Sequence, residues 1–561
     1  MIADQAARAH VYEVVVDQLA ERGTRTTFGL MGEDTAALIT DLDRRSIGYY
    51  HGWHENAATA MAEGYSWATG EVGVAIISRG PGLTNGLTAA TTAAKAGHRL
   101  LIITAESSPG RESDLKIIGQ RNMLEAVGVA YFNVTEPVAL LDAFNAAWDA
   151  AVSGAASMLA IPQSVLHAPW AGIADRRKGS AGSCETAPTA RHGDLRPALE
   201  LLEQSSTPLI VVGRGGLGER AIYEGLAERI GALLGTTFLA KGLFAGSPLD
   251  VGVVGGFSDF SVRPVLRQVD CVLAFGASMN GFTRGHGTAT PNARIAQFDI
   301  DPAAFGRYGP TDVAVTGDAL MCAQLLLEGA SAPDERRLHK PEILRAVADR
   351  DVFGPVDESN AEGIDPRVLT VALDRLLPAD RLVITDGGHH LGFGATAMRV
   401  SEPGRARLTT DFAAVGMGLG TACGAAIGRP ELATILFIGD GGLAMTLGDL
   451  ETAVRFQLPL VAVVMNDRAY GAERHFLDLE GLPHHHSQFN DIDFAAVAGG
   501  LGMEAVTIRS TADVQACAPR LTQPETPLLL DCKINGAVRA QWLVDLDAAR
   551  RSAEERSMSP A

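Results

Sequence analysis

Positive charge, aromatic rings and cysteine are all in short supply. Lysine plus arginine number 47 against 66 aspartate plus glutamate, leaving a net charge of −19 over 561 residues. A chain this acidic does not bind nucleic acid or an anionic membrane through bulk electrostatics, so any anionic ligand must be gripped locally. The six cysteines (Cys184, Cys271, Cys322, Cys423, Cys517, Cys532) are scattered, with no CxxC pair and no metal-ligand spacing, and read as reduced core residues. The longest apolar runs, such as Leu458–Met465, fall far short of the roughly 20 residues a membrane span needs. The N-terminal MIADQAARAHVYEVV lacks a basic-then-apolar leader pattern, and the expected location is cytoplasmic.

Glycine is abundant, at 62 residues, beside 26 prolines and a hydrophobic fraction of 47%. Without collagen-like periodicity, this indicates tight turns and close backbone approaches, the habit of α/β enzymes that fold around phosphorylated cofactors. Polar, small-residue stretches at 171–194 and 331–361 read as linkers separating three domains, 1–170, 195–330 and 362–545. In each, short apolar runs alternate with helical lengths. They are Val72–Ser78, Leu100–Thr104 and Met158–Ile161; then Leu209–Val212, Val272–Phe275 and Ile295–Ile300; then Val383–Thr385, Thr434–Ile438, Leu460–Met465 and Leu528–Asp531. Continuous apolar strands of this kind belong to parallel sheets covered on both faces. The expected fold is α/β, with three consecutive doubly wound parallel-sheet domains.

The strongest local signal is Gly439-Asp440-Gly441-Gly442, between the strand ATILFI and a helix-like stretch. A glycine turn at a helix N-terminus presents backbone N–H groups to a phosphate. An acid there makes sense if a divalent cation bridges it to a diphosphate. The next strand, LVAVVM, ends at Asn466-Asp467-Arg468-Ala469-Tyr470-Gly471, with Asp467 27 positions after Asp440. In a parallel sheet both turns lie at the same edge, where ligands bind.

GDGG followed by ND at this spacing resembles the thiamine diphosphate motif of the acetolactate synthase, pyruvate oxidase and 2-oxoacid decarboxylase superfamily. The resemblance runs over roughly residues 5 to 540 and implies pyrimidine-binding, central and diphosphate-binding domains in that order. It implies Asp440, Asp467 and the Ala469 carbonyl as magnesium ligands, with Gly439, Gly441, Gly442, Tyr470 and Gly471 around the cofactor. HENAATAMAEGYSWATGEVGVAIISRGPGLTNGL resembles the pyrimidine-binding domain, with Glu55 at the position of the cofactor-activating glutamate. A carboxyl bonded to the aminopyrimidine favours the tautomer whose nitrogen can remove the thiazolium proton. Gly80 and Pro81 belong to a loop that packs beside the site in relatives, and Gln120 matches an active-site glutamine of acetolactate synthases. Gly119 replaces the bulky aromatic usual before that glutamine. Gly388, His389 and His390 stand where relatives place a Gly-Gln-His that donates to the diphosphate. In VGMGLGTACGAAIG, Val415 takes the place of the residue that bends the cofactor, with Met417 beside it.

The resemblance also implies at least a homodimer, with a tetramer expected, because the glutamate of one subunit meets the diphosphate-binding segment of another. Glu33, in FGLMGEDTAAL, and Glu473 occupy the positions of the two acids of simple 2-oxoacid decarboxylases; solvated loop acids are the plain alternative for Glu33, Asp34 and Glu473. Paired acids suit proton delivery and aldehyde release. His389 and Gln120 complete the candidate catalytic set with Glu55, Glu33 and Glu473. The central domain holds FAD in acetolactate synthases, ADP in acyl-CoA-processing lyases and nothing in many others, and all three stay open here, with Arg284 the residue to meet a nucleotide phosphate. His484, His485 and His486 either border the site or are simply exposed. The expected reaction is 2-oxo acid decarboxylation or carboligation with an aldehyde or a second 2-oxo acid. The alternatives are a 2-hydroxyacyl-CoA lyase or oxalyl-CoA decarboxylase-like enzyme, and a non-catalytic regulatory relative, which should have lost Glu55 or Asp440.

Overall fold

The computed structural model describes residues 9–108, 114–170, 190–331 and 341–558. Most of the 171–194 linker and residues 332–340 of the second linker lie outside them.

Three six-stranded, wholly parallel sheets follow one another along the chain. The first contains β1 (Thr26–Gly29), β2 (Gly48–His51), β3 (Gly73–Ile77), β4 (Leu100–Glu106), β5 (Ala130–Asn133) and β6 (Ser157–Pro162), in the order β2-β1-β3-β4-β6-β5. The second contains β7 (Pro208–Val212), β8 (Leu233–Thr236), β9 (Asp250–Val253), β10 (Cys271–Phe275), β11 (Arg294–Asp299) and β12 (Val313–Thr316), in the order β12-β11-β10-β7-β8-β9. The third contains β13 (Arg381–Thr385), β14 (Ala406–Leu408), β15 (Ala433–Gly439), β16 (Leu460–Asn466), β17 (Glu504–Ile508) and β18 (Leu528–Lys533), in the order β14-β13-β15-β16-β18-β17. Central strands such as β3, β7, β10, β13 and β16 are buried at every residue, as strands covered by helices on both faces must be.

The first and third domains are joined by a helix seam. Helix Glu55–Thr69 lies along helix Gly418–Gly428, and one apolar cluster runs through it from Phe28, Met61 and Tyr65 to Leu419, Ala422 and Leu436. The approach is close enough to require glycine: a Cβ at Gly424 would fall 1.8 Å from the Met61 carbonyl oxygen. Inside the seam sits the fully buried Glu63. Its carboxylate pairs with His98 at 2.6 Å and with Arg407 of β14, and it accepts the Thr421 hydroxyl at 3.3 Å. Burial alone pushes this carboxyl up, but Arg407 and His98 more than offset it and hold it below the usual range.

Candidate active site

Adjacent strands β15 and β16 run in register to Gly439 and Met465, so the turns that follow them open side by side at one sheet edge. Asp440 and Asp467 stand in those turns, both buried. Asp440 is fixed by backbone: the N–H of Gly441 donates to one oxygen at 2.9 Å, and the N–H of Arg468 donates to the other at 2.7 Å. Arg468 reaches it from the left-handed region, with φ 60°, and its loop is pinned by the Tyr470 N–H donating to the Ser487 carbonyl at 2.8 Å. Burial pushes both carboxyls well above the usual carboxylate range, and at Asp440 the charge of Asp467 adds to it. Two desolvated acids facing each other are a poor arrangement for a protein alone and a good one around a cation.

A cavity of about 270 Å³ opens over this edge. It gathers Gly388, His389 and His390 from the turn after β13, Val415, the Gly439–Gly442 turn, and Asp467, Ala469, Tyr470, Gly471 and Glu473. The glycines are closely packed and admit no side chain: a Cβ at Gly441 would lie 2.6 Å from the Tyr470 ring, and one at Gly442 2.7 Å from Asp386 Oδ2. Burial pushes the His390 imidazole down to about 4, and its Nε2 is buried without a partner. Short side chains, an orphaned ring nitrogen and a pair of desolvated carboxyls fit a diphosphate with its divalent metal. Among the described residues, no group of three or more His, Cys, Asp or Glu side chains is placed to hold a metal by itself, which suits a cation that also needs phosphate and carbonyl oxygens.

Three contributors have no counterpart in the motif reading. Asp386 is fully buried and accepts the N–H groups of Gly416, Met417 and Gly418, at 2.8, 3.2 and 3.1 Å, and the Thr409 hydroxyl at 2.9 Å. It anchors the loop that carries Val415. Phe282 of the central domain and Trp542 of the last helix pack edge to face at 5.8 Å and close one end of the cavity. The signal for Asp386 was present, an acid directly after a buried strand; nothing local marks Phe282 or Trp542.

The other expected residues lie elsewhere. Glu55 is half-buried in the first turn of its helix, where the Asn85 amide donates to it at 2.9 Å. Its neighbour Asn56 donates to the Met417 sulfur at 3.4 Å, so the two halves meet beside the cavity, although Met417 itself is buried away from the lining. Glu33 is exposed on the turn after β1, whereas Asp34 is no solvated loop acid: it is buried and pairs with Arg79 at 3.4 Å. Gln120 is buried with its amide committed. Its oxygen accepts the Gly80 N–H at 3.3 Å, and its nitrogen donates to Glu106 at 2.9 Å. It therefore supports the Gly80–Pro81 turn, and neither it nor that turn reaches the cavity of this chain. His485 and His486 are exposed, and His484 pairs with Asp478 at 2.5 Å beside a separate hollow.

Comparison with known proteins agrees with this layout domain by domain. Residues 9–132 match the N-terminal TPP-binding domain of thiamine pyrophosphate enzymes, 195–326 their central domain and 386–532 their C-terminal TPP-binding domain. The chain is 30% identical to "Probable 2-ketoarginine decarboxylase AruI" of Pseudomonas aeruginosa, over 84% of each protein. It is 27% identical to the acetolactate synthase large subunit of Parasynechococcus marenigrum, over 93% of this chain and 86% of that one. It is 26% identical to the sulfoacetaldehyde acetyltransferase of Castellaniella defragrans, over 90% and 88%. Among solved structures, the thiamine diphosphate-dependent 4-hydroxybenzoylformate decarboxylase of Rhodococcus jostii RHA1 superposes with a TM-score of 0.76 over 94% of this chain and 99% of that one, at 20% identity. No helix among the described residues is long and apolar enough to cross a membrane. With all three domains matched in order and a 30%-identical relative spanning most of both chains, this protein belongs to the thiamine pyrophosphate-dependent enzymes.

Proposed function

We propose that the chain catalyses magnesium-dependent cleavage or formation of a C–C bond next to a carbonyl, by decarboxylating a 2-oxo acid, joining its remainder to an aldehyde or second 2-oxo acid, or both. The observation that carries this reading is the desolvated pair Asp440 and Asp467, opposed at the ends of adjacent strands beneath a glycine-lined cavity. Thiamine diphosphate, when bound, supplies a nucleophilic carbon and an electron sink for the charge released beside the carbonyl.

The chain's own residues take the remaining tasks. Asp440, Asp467 and the Ala469 carbonyl would hold magnesium, and the Gly441–Gly442 turn with His389 and His390 would face the diphosphate. Val415 sits between the turns at Gly387 and Gly442 and would set the cofactor's bend. Glu473 lines the cavity and is the acid there outside the cation pair, free to deliver a proton to product.

Glu55 would hold a proton on the pyrimidine side. Since no described residue of the first domain lines the cavity, a second copy of the chain is the expected source of that carboxyl and of Glu33. Exposed apolar side chains on this part of the surface support such a dimer: Val415, 40% exposed, lines the cavity, and Met445, 57% exposed, packs by Gly416 of the same loop. The reading needs no nucleotide in the central domain.

The test is turnover of a panel of 2-oxo acids and 2-hydroxyacyl-CoAs with and without thiamine diphosphate and magnesium. Cofactor-dependent release of carbon dioxide from a 2-oxo acid is expected. Full activity without the cofactor, or turnover of the acyl-CoAs alone, would overturn the reading.

A further inference from the structure

His389 is held from outside its own turn. The backbone N–H of Ala540 donates to its Nε2 at 2.8 Å, and Nε1–H of Trp542 donates to its carbonyl oxygen at 3.3 Å. A backbone N–H can only donate, so Nε2 must accept and carries no proton. The proton of the neutral ring is then on Nδ1. The ring lines the cavity and is boxed in by His475, at 4.3 Å between centroids, and by Phe393 at 5.4 Å. With Nε2 occupied, Nδ1–H is the group left to meet a ligand.

The same segment also reaches the carboxylate beside His389, since a Cβ at Gly471 would touch both Asp467 and His389. A Cβ at Gly536 would lie 3.0 Å from the Asp467 Cβ, so residues 535–542 abut both the phosphate-side histidine and a carboxylate of the cation site. Fit is tight at the His389 end as well, where a Cβ on Gly392 would fall 2.7 Å from the Ala540 Cβ and the Trp542 ring.

We propose that residues 535–542 are a positioning element for the cofactor: Ala540 locks His389 as the Nδ1–H tautomer, and so makes it a hydrogen-bond donor toward the diphosphate. A carboxamide always has a donor to offer; an imidazole has one on the required side only if its other nitrogen is tied down. Ala540 and Trp542 are positioning residues that act through His389, and the inference rests on the thiamine diphosphate reading given above.

The test is titration calorimetry of thiamine diphosphate in the presence of magnesium, with the full chain, in a double-mutant cycle. Ala540→Pro removes the N–H and is expected to weaken cofactor binding about 10-fold, ~1.4 kcal/mol. In a His389→Ala background, where there is no ring to orient, the same substitution should change affinity less than about 2-fold. An equal loss in both backgrounds, or no loss in a folded Ala540→Pro protein, overturns the proposal. If circular dichroism shows that Ala540→Pro does not fold, Trp542→Phe replaces it: this keeps the ring against Phe282, loses the donor to the His389 carbonyl, and should cost about 3-fold only when His389 is present. A loss independent of His389, or none, again overturns it. A wild-type protein that does not bind thiamine diphosphate would instead overturn the proposed function.

Discussion

In the first sheet the strand order β2-β1-β3-β4-β6-β5 leads from the end of β2 into a helix that begins at Glu55; in the third, β14-β13-β15-β16-β18-β17 repeats that winding strand for strand, and the corresponding helix begins at Gly418. The two helices lie against each other in the seam. What differs is the chemistry at their ends. The first domain offers a half-buried carboxylate within reach of an amide, while the third surrounds its loops with buried acids and buried, neutral histidines. One winding has been furnished twice, once to present a single half-buried carboxylate and once to enclose charge. The winding decides where a ligand lies, and the loops decide what is done to it.

This contrast can be broken at either end. Asp440→Asn should remove both turnover and metal-dependent cofactor binding, lowering kcat/KM by at least about 10³-fold, ~4 kcal/mol, as checked by steady-state rates and calorimetry. Glu55→Gln should lower kcat by about 10²–10³-fold yet leave thiamine diphosphate affinity roughly unchanged, because the task proposed for this carboxyl is proton handling and not retention. If both variants lose binding equally, the division of labour between the domains is wrong.

A third expectation concerns pH. His390 is neutral when folded, with a pKa pushed down from 6.5 to about 4. Below pH 6.5 the unfolded chain takes up a proton that the folded chain refuses, so stability falls as pH drops toward 4 and is unaffected by this group above 6.5. Relative to His390→Gln, the wild type should lose up to about 3 kcal/mol across that window in denaturant titrations. The smallest expected effect is at the seam: Gly424→Ala places a methyl group against the Met61 carbonyl and should destabilise by about 1–3 kcal/mol, seen as a lower midpoint in urea.

Much of this was readable from the sequence because it is local. Buried parallel strands are unbroken apolar runs, so β3, β4, β7, β10, β13, β15, β16 and β18 are recognisable to within a residue or two. Edge strands such as β9, β12 and β14 are short and carry no such run. The strand order is set by packing and has no periodic signature. Asp440 and Asp467 could be paired because successive parallel strands end at the same edge. The role of Asp386 is not legible locally because it accepts N–H groups 30 to 32 residues away, nor is that of Trp542, which meets His389 across 153 residues. Gln120 carried the right residue type, but its environment, Glu106 and the Gly80 N–H, decides that it braces a turn.

The ion network at the seam bears on how portable these domains are. Glu63 and His98 come from the first domain, Arg407 and Thr421 from the third, and the last three converge on the fully buried Glu63 carboxylate. Either domain produced alone would keep a charged side chain made for a partner it no longer has, set in an apolar face tiled with alanine and glycine. Such a fragment would be a weak candidate for transplantation into another chain. The seam makes the two domains a matched set.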